Sequence, residues 1–230
     1  LQETLGGNAV LGLSYNKDWP AQTIIQCNGG RVLNDDGTFG ITSDEAKEAM
    51  QTIADLDTAG LYDRSGTNDE IRANFVAGTT AVMQASVASL GGLNNDAEFT
   101  LGTNTWPKFG EKPVIASTGG SFLGSFTKDE AKYPAVTEFL AFCGSEAGYT
   151  IWNQTGYVNI SNLELDHLPG QEPAYAQFDA GLIRETNWPG ARGSEAGNTW
   201  DQFVQRMWAN DISVEEGTTQ ALAEIEQIVG

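Results

Sequence analysis

Apolar residues recur at helical spacing along much of the chain, and the polar letters around them supply starts and stops. Ala46, Ala49, Met50, Ile53 and Leu56 share one helix face, opened by Thr42-Ser43-Asp44-Glu45 as a capping box and stopped by Gly60. Asn68 caps a second such run through Ile71 and Phe75 to Gly78. Tyr133-Pro134 starts a helix with Val136, Phe139, Leu140 and Cys143 on one face, and Glu146 to Asn153 continues as another. Pro173 to Leu182 reads as helical, and Trp200, Phe203, Val204 and Met207 mark the next helix. The last opens at the capping box Ser213-Val214-Glu215-Glu216 and runs to Val229.

Between these lie short extended pieces. After an initial helical fragment, Val10 to Ser14 predicts a strand, and Tyr15-Asn16-Lys17-Asp18-Trp19-Pro20 opens a helix carrying Ile24, Ile25 and Cys27 that stops at Asn28-Gly29-Gly30. Asn34-Asp35-Asp36-Gly37 is a turn between two extended pieces within 31–41. Thr79 to Ala85 and Phe99 to Thr103 read as strands, with a loop from Trp106-Pro107 to Lys112. The apolar run from Val114 breaks at Gly119-Gly120 and resumes as Ser121-Phe122-Leu123. Asn187 to Gly197 is a Gly-rich connector, and no internal repeat is present.

At 230 residues the chain can bury one large core or two small ones, and 40% hydrophobic content is that of a folded protein. No apolar run is long enough to cross a bilayer as a helix. The start at Leu1, without Met, reads as a processed or trimmed chain, so no leader reveals the compartment. A net charge of −19 opposes binding to nucleic acid or to an anionic membrane surface. One histidine, His167, and two cysteines, Cys27 and Cys143, cannot supply a His/Cys zinc cluster and make a His-based triad a poor reading. The acidic turn at 34–37 groups oxygen ligands beside glycine but lacks the closing bidentate Glu of a calcium loop, so no metal is expected there.

Two places offer binding chemistry. Trp19 sits where a loop side chain could lean into a cleft, although a half-buried packing Trp fits the same letters. The strand ending in Ser86-Val87-Ala88-Ser89-Leu90-Gly91-Gly92 leaves hydroxyls and free backbone N–H groups at one edge, where a ligand oxygen could be held; a plain strand-to-helix turn explains it equally.

Taken in order, Trp19-Pro20, Asn28-Gly29-Gly30, Phe75-Val76-Ala77-Gly78 with Ala81-Val82-Met83, Thr118-Gly119-Gly120-Ser121, Glu138-Phe139-Leu140 and Thr155-Gly156-Tyr157 resemble the solute-binding proteins of ABC importers. The resemblance is to the subgroup that includes the glycerol-phosphate and the maltose and oligosaccharide binders. It rests on order and spacing over nearly the whole chain, since each short motif alone is common. It implies an α/β, periplasmic-binding-protein-like fold of type II, in which two lobes close on a ligand by hinge motion. On that likeness the chain is the C-terminal lobe plus part of the N-terminal lobe: residues 1–102 and 157–230 form the C-terminal lobe, and 103–156 cross into the other. Most of the N-terminal lobe is then absent, and a missing N-terminal fragment of the same protein becomes one implied partner. The other implied partners are a small-molecule ligand (a sugar, a polyol or glycerol phosphate) and the permease subunits of the transporter. No cofactor is implied, and the location is periplasmic or extracellular, with a lipoprotein anchor as one form of it.

The likeness also implies site positions: Ser86 or Ser89, the Gly119-Gly120 break, and Tyr157; Trp19, Ser121, Trp188, Arg192 and Glu195 complete the expected ligand contacts. Glycine lets backbone N–H groups approach ligand oxygens, and tyrosine offers a stacking face and a hydroxyl. Glycerol-phosphate binders carry an arginine before a late Gly-Asn pair, where this chain has Glu195. A carboxylate there cannot hold a phosphate unless Arg192 reaches round, so the expected ligand is a neutral carbohydrate or polyol, with a glycerol phosphate ester or glycerophosphodiester as the alternative. A carbohydrate-active enzyme is the rival from another class, because 31 acidic residues could supply a carboxylate pair, but no motif frames one. A purely adhesive surface domain is a third reading. If the lobe assignment holds, Cys27 and Cys143 lie in different lobes, and a disulfide between them would pin the hinge; two free, buried thiols are therefore expected. The stretch Val114 to Ile160 would have the least native packing to lean on.

Overall fold

The computed structural model describes residue 3 and residues 6–13, 18–65, 67–120, 122–185 and 187–230. Parts of the opening fragment, the strand end at Ser14, the helix start at Tyr15-Asn16-Lys17, and Ser121 lie outside the described residues.

The chain divides into two compact units, the first comprising Leu1–Ala85, Thr105–Thr118 and Gln177–Gly230. Its strands are short. β1 (Leu11–Gly12) lies between β2 (Tyr62–Asp63) and β3 (Val82–Met83), parallel to both, with Leu11 opposite Tyr62 and Val82. Helical crossovers make this parallel order possible: α1 (Asp18–Cys27) and α2 (Asp44–Thr58) lead from β1 to β2, and α3 (Asn68–Val76) from β2 to β3. A second parallel pair joins β4 (Ala116–Thr118) to β5 (Ile183–Glu185).

The core of this unit lies where α1 and α2 meet α8 (Gly193–Trp208) and α9 (Val214–Val229). Trp200, Val204, Met207 and Trp208 are fully buried on α8, facing Met50 of α2 and Ala221 and Ile225 of α9, also fully buried. Burying a side chain of this size stabilises the fold by about 1.5–3 kcal/mol. At the end of α8, Asn210 takes the left-handed conformation (φ 58°), and its Nδ2 donates to Ala54 O (3.0 Å) and Asp57 Oδ2 (2.9 Å). Arg64 completes the tie by gripping both oxygens of Asp57, whose carboxyl it holds below the usual carboxylate range.

The second unit comprises Ser86–Asn104 and Gly119–Ala176. It holds α4 (Leu90–Asp96), α5 (Tyr133–Cys143), α6 (Glu146–Asn153) and the start of α7 (Glu172–Asp179). α5 follows the expected boundaries, yet it buries none of its residues. Phe139 is 59% exposed and Phe142 48%, while Phe122 and Phe126 before the helix are 92% and 97% exposed. Among the described residues nothing covers this apolar face, so the stretch within Val114–Ile160 has little packing of its own.

Several expectations change. The α2 cap is Ser43, accepting from Ala46 N at 3.2 Å, which leaves Glu45 one position short of a capping box. The box instead closes one helix later, where Thr67, not Asn68, caps α3 with Glu70. Phe99–Thr103 forms no strand: its end is held by Thr103 Oγ1 donating to Gly170 O (2.9 Å) in place of a ladder. No strand resumes at Phe122-Leu123, and the 187–197 connector is cut short because α8 already begins at Gly193. Both cysteines are free, but only Cys27 is buried; Cys143 is half-buried because it lies on the uncovered helix α5.

Candidate ligand-binding site

In the first unit the candidate residues gather around the start of α1 and the approach to α8. Trp19 is half-buried on the first turn of α1. Beside it, Asp18 receives the indole N–H of Trp188 at 3.0 Å (Oδ2) and 3.2 Å (Oδ1), across 170 residues of sequence. Gln22, one turn along, donates to Asp18 Oδ1 at 2.8 Å, and Asp201 of α8 accepts from the Asp18 backbone N–H at 3.3 Å. Burial pushes the Asp18 carboxyl up to about 6; the bonds from Gln22 and Trp188 oppose the shift, and the nearby Asp201 charge adds to it.

Two glycines of α8 let the Trp188 segment approach. A Cβ at Gly197 would lie 3.0 Å from Trp188 Cδ1 and 3.3 Å from Asp18 Oδ2, and one at Gly193 would lie 2.4 Å from the Trp188 carbonyl oxygen. Phe39 meets the indole at a tilt, with centroids 5.9 Å apart. Trp188 is thereby fixed on several sides, packs against the core and is half-buried.

Arg192 and Glu195 are one helical turn apart and pair with each other: Nε donates to Oε2 at 2.8 Å and Nη2 to Oε1 at 2.6 Å. Nη1 donates to Ile228 O at 3.3 Å. The pairing raises the arginine and lowers the glutamate from their ordinary values. Both planar forks are thus matched, and the guanidinium is neutralised by its own chain.

In the second unit the serine turn and the Thr-Gly-Tyr turn come together. Ser86 is exposed and caps a 3-10 turn at Val87–Ser89 by accepting from Ala88 N (3.2 Å), while Ser89 is half-buried and makes no capping bond. Gly91 N donates to Thr155 O at 3.0 Å. The approach needs glycine on both sides: a Cβ at Gly91 would lie 2.0 Å from Gln154 O, and one at Gly156 (φ +107°) 2.4 Å from Val87 O. Fully buried Gln171 underpins the turn, with Nε2 donating to Gly156 O (2.8 Å) and Tyr157 O (3.3 Å). Tyr157 stacks on Trp152 at 5.2 Å and 9° from parallel, and Trp152 keeps 48% of its surface open. Gly119 and Gly120 follow β4 and are exposed, and a Cβ on Gly120 would meet nothing.

The partners Asp18, Gln22, Asp201, Gln171 and Trp152 escape sequence reasoning. Only the i, i+4 spacing of Asp18 and Gln22 on a helix starting beside Trp19 hints at one of them. No group of three or more His, Cys, Asp or Glu side chains suited to a metal occurs among the described residues.

A first unit with parallel strands between helices and a second, helical unit carry aromatic faces, hydroxyls and exposed glycine backbone. A family profile described as bacterial extracellular solute-binding protein matches residues 5–176, and the chain belongs to that family. It is 28% identical over 225 residues to the sn-glycerol-3-phosphate-binding periplasmic protein UgpB of Yersinia enterocolitica, covering 89% of this chain and 50% of that protein. To the protein of the same name in Escherichia coli K12 it is 26% identical over 213 residues, covering 79% and 48%. Among solved structures, UgpB from Mycobacterium tuberculosis with glycerophosphocholine aligns at a TM-score of 0.75 and 19% identity, over 99% of this chain and 60% of that one. The maltose/maltodextrin-binding domain MalE from Bdellovibrio bacteriovorus, bound to maltotriose, aligns at 0.80 and 20%, over 96% and 60%. These structures establish the fold as that of the type II periplasmic binding proteins. The chain spans about half the length of the curated relatives it matches.

Proposed function

We propose that the chain is the ligand-binding component of an ABC importer that captures a neutral carbohydrate or polyol and delivers it to the permease, without chemistry of its own. The observation that carries the ligand class is the closed Arg192–Glu195 pair. A free guanidinium with fork geometry holds a phosphate ester best, and Arg192, beside the expected position, already has a carboxylate partner. Asp18 and Asp201 add further negative charge in the same unit, which disfavours an anionic ligand. The Trp152–Tyr157 stack offers an aromatic face to sugar C–H surfaces. We assign ligand contacts to Trp19, Ser86, Ser89, Gly119, Gly120, Ser121, Tyr157, Trp188, Arg192 and Glu195.

The second reading, a glycerol phosphate or glycerophosphodiester, is favoured by the names of the relatives. The lobe division at 102/103 and 156/157, a periplasmic or extracellular location, free or lipid-anchored, and a further segment of the same protein covering the exposed face of α5 belong to the same proposal. The exposure of Phe122, Phe126 and Phe139 supports the last.

Titrating the intact protein with maltotriose, glycerol, sn-glycerol 3-phosphate and glycerophosphocholine, by calorimetry and melting temperature, tests this. Binding of a neutral compound without turnover is expected. Tighter binding of either phosphate compound would overturn the ligand class, and release of smaller sugars would overturn the absence of chemistry.

A further inference from the structure

We infer that Asp18 is the positioning residue for Trp188: its carboxylate, seated at the start of α1, sets the orientation in which the Trp188 indole faces ligand. The inference rests on the proposed reading that Trp188 is a ligand contact, and deepens it. Trp188 belongs to an irregular segment before α8, where no ladder or helix fixes a side chain. What fixes it is a set of contacts from other elements. Both Asp18 oxygens accept its indole N–H, at 3.0 and 3.2 Å. Gln22 holds one of those oxygens at 2.8 Å, so the acceptor is itself oriented. The Asp18 backbone is tied to Asp201, and Asp201 Oδ2 accepts from Gln205 Nε2 at 2.6 Å. This chain of bonds links the start of α1 to α8, and the absence of side chains at Gly193 and Gly197 brings the indole against α8.

An indole N–H is a single donor with a fixed direction, so one acceptor decides the ring's rotation about its stem. A charged acceptor makes that bond about twice as strong as a neutral one. The ring edge turned toward Asp18 is consumed, and the indole, packed against the core, is half-buried and leaves part of its surface open. A ligand stacking on the ring therefore meets a preset face, which spares the entropy of ordering it on binding.

The test uses the intact protein labelled with ¹⁵N. The Trp188 indole N–H resonance is assigned by its loss in Trp188→Phe, and affinity is measured for whichever of the four compounds named above binds tightest. Asp18→Ala is expected to move the Trp188 resonance and weaken binding on the order of tenfold, while Asp18→Asn, which keeps an acceptor oxygen, restores most of both. Gly197→Ala, which drives a methyl against the ring, is expected to reproduce the loss with Asp18 intact. If Asp18→Ala leaves the resonance in place, or moves it without weakening a ligand that Trp188→Ala weakens, the positioning role is wrong and the ligand-site reading stands. If Trp188→Ala itself leaves affinity unchanged, the reading of Trp188 as a ligand contact falls, and the inference with it.

Discussion

Asp18 should make the stability of this protein depend on pH in a direction opposite to most carboxylates. Burial is the largest cause of its shift, taking the carboxyl from the ordinary 3.8 to about 6 in the folded chain. Ionising it inside the fold costs more than in the unfolded chain, and the difference amounts to roughly 3 kcal/mol. Because the folded value is the higher one, that cost is present in full above about pH 6 and vanishes as pH falls toward the unfolded value. An acidic protein with net charge −19 also changes self-repulsion over this range, so the wild type alone is uninformative. Asp18→Asn removes the titration and retains an acceptor for Trp188. The quantity to measure is wild-type minus variant stability, from urea unfolding of the intact protein at steps between about pH 7.5 and about pH 4. It should rise in favour of the wild type by up to roughly 3 kcal/mol, the rise setting in as pH falls through about 6 and continuing toward the ordinary value of 3.8. A difference that stays constant would refute the reasoning, since it would mean that Asp18 titrates alike in folded and unfolded chains.

The remaining predictions concern close approaches. Gly91→Ala places a methyl 2.0 Å from the Gln154 carbonyl oxygen, which must shift; thermal melting should show a loss of about 1–3 kcal/mol, together with weakened ligand binding through the displaced Tyr157 turn. Asn210→Ala removes the bonds to Ala54 and Asp57 and puts a poorly tolerated residue at φ 58°. It should cost about 2 kcal/mol or more in urea unfolding, and Asn210→Gly should cost less, since it relieves the backbone.

Much of the helical framework was legible because the apolar period survives in single letters: Ala46 to Leu56, Trp200 to Met207 and the run from Ser213 to Val229 all form as expected. Caps were less legible. Ser43 and Thr42 are both competent, and which hydroxyl meets a free N–H depends on where the chain enters the helix. β2 and β5 escaped notice because two or three residues carry no alternation to read. In α5 the pattern was right about the helix and silent about its partner, since a hydrophobic face specifies that it wants cover and not whether the cover lies in the same chain.

For the candidate site the division is sharper. Sequence alone determined most of the helices, the scarcity of metal-ligating residues, the family resemblance and the replacement of an expected arginine by Glu195. These depend on residue identity, on spacing within a turn or two of helix or, for the resemblance, on the order of short motifs along the chain. Only the tertiary structure decided that Asp18 receives Trp188, that the serine turn packs against Thr155-Gly156, and that Arg192 and Glu195 neutralise each other. The first two join residues far apart in the chain through approaches of a few ångströms. Such contacts depend on how whole elements pack, whereas helical periods depend only on backbone bonds four residues apart. The Arg192–Glu195 pair needed the structure for another reason: its turn spacing is visible only once α8 is known to start at Gly193, inside what the letters present as a connector.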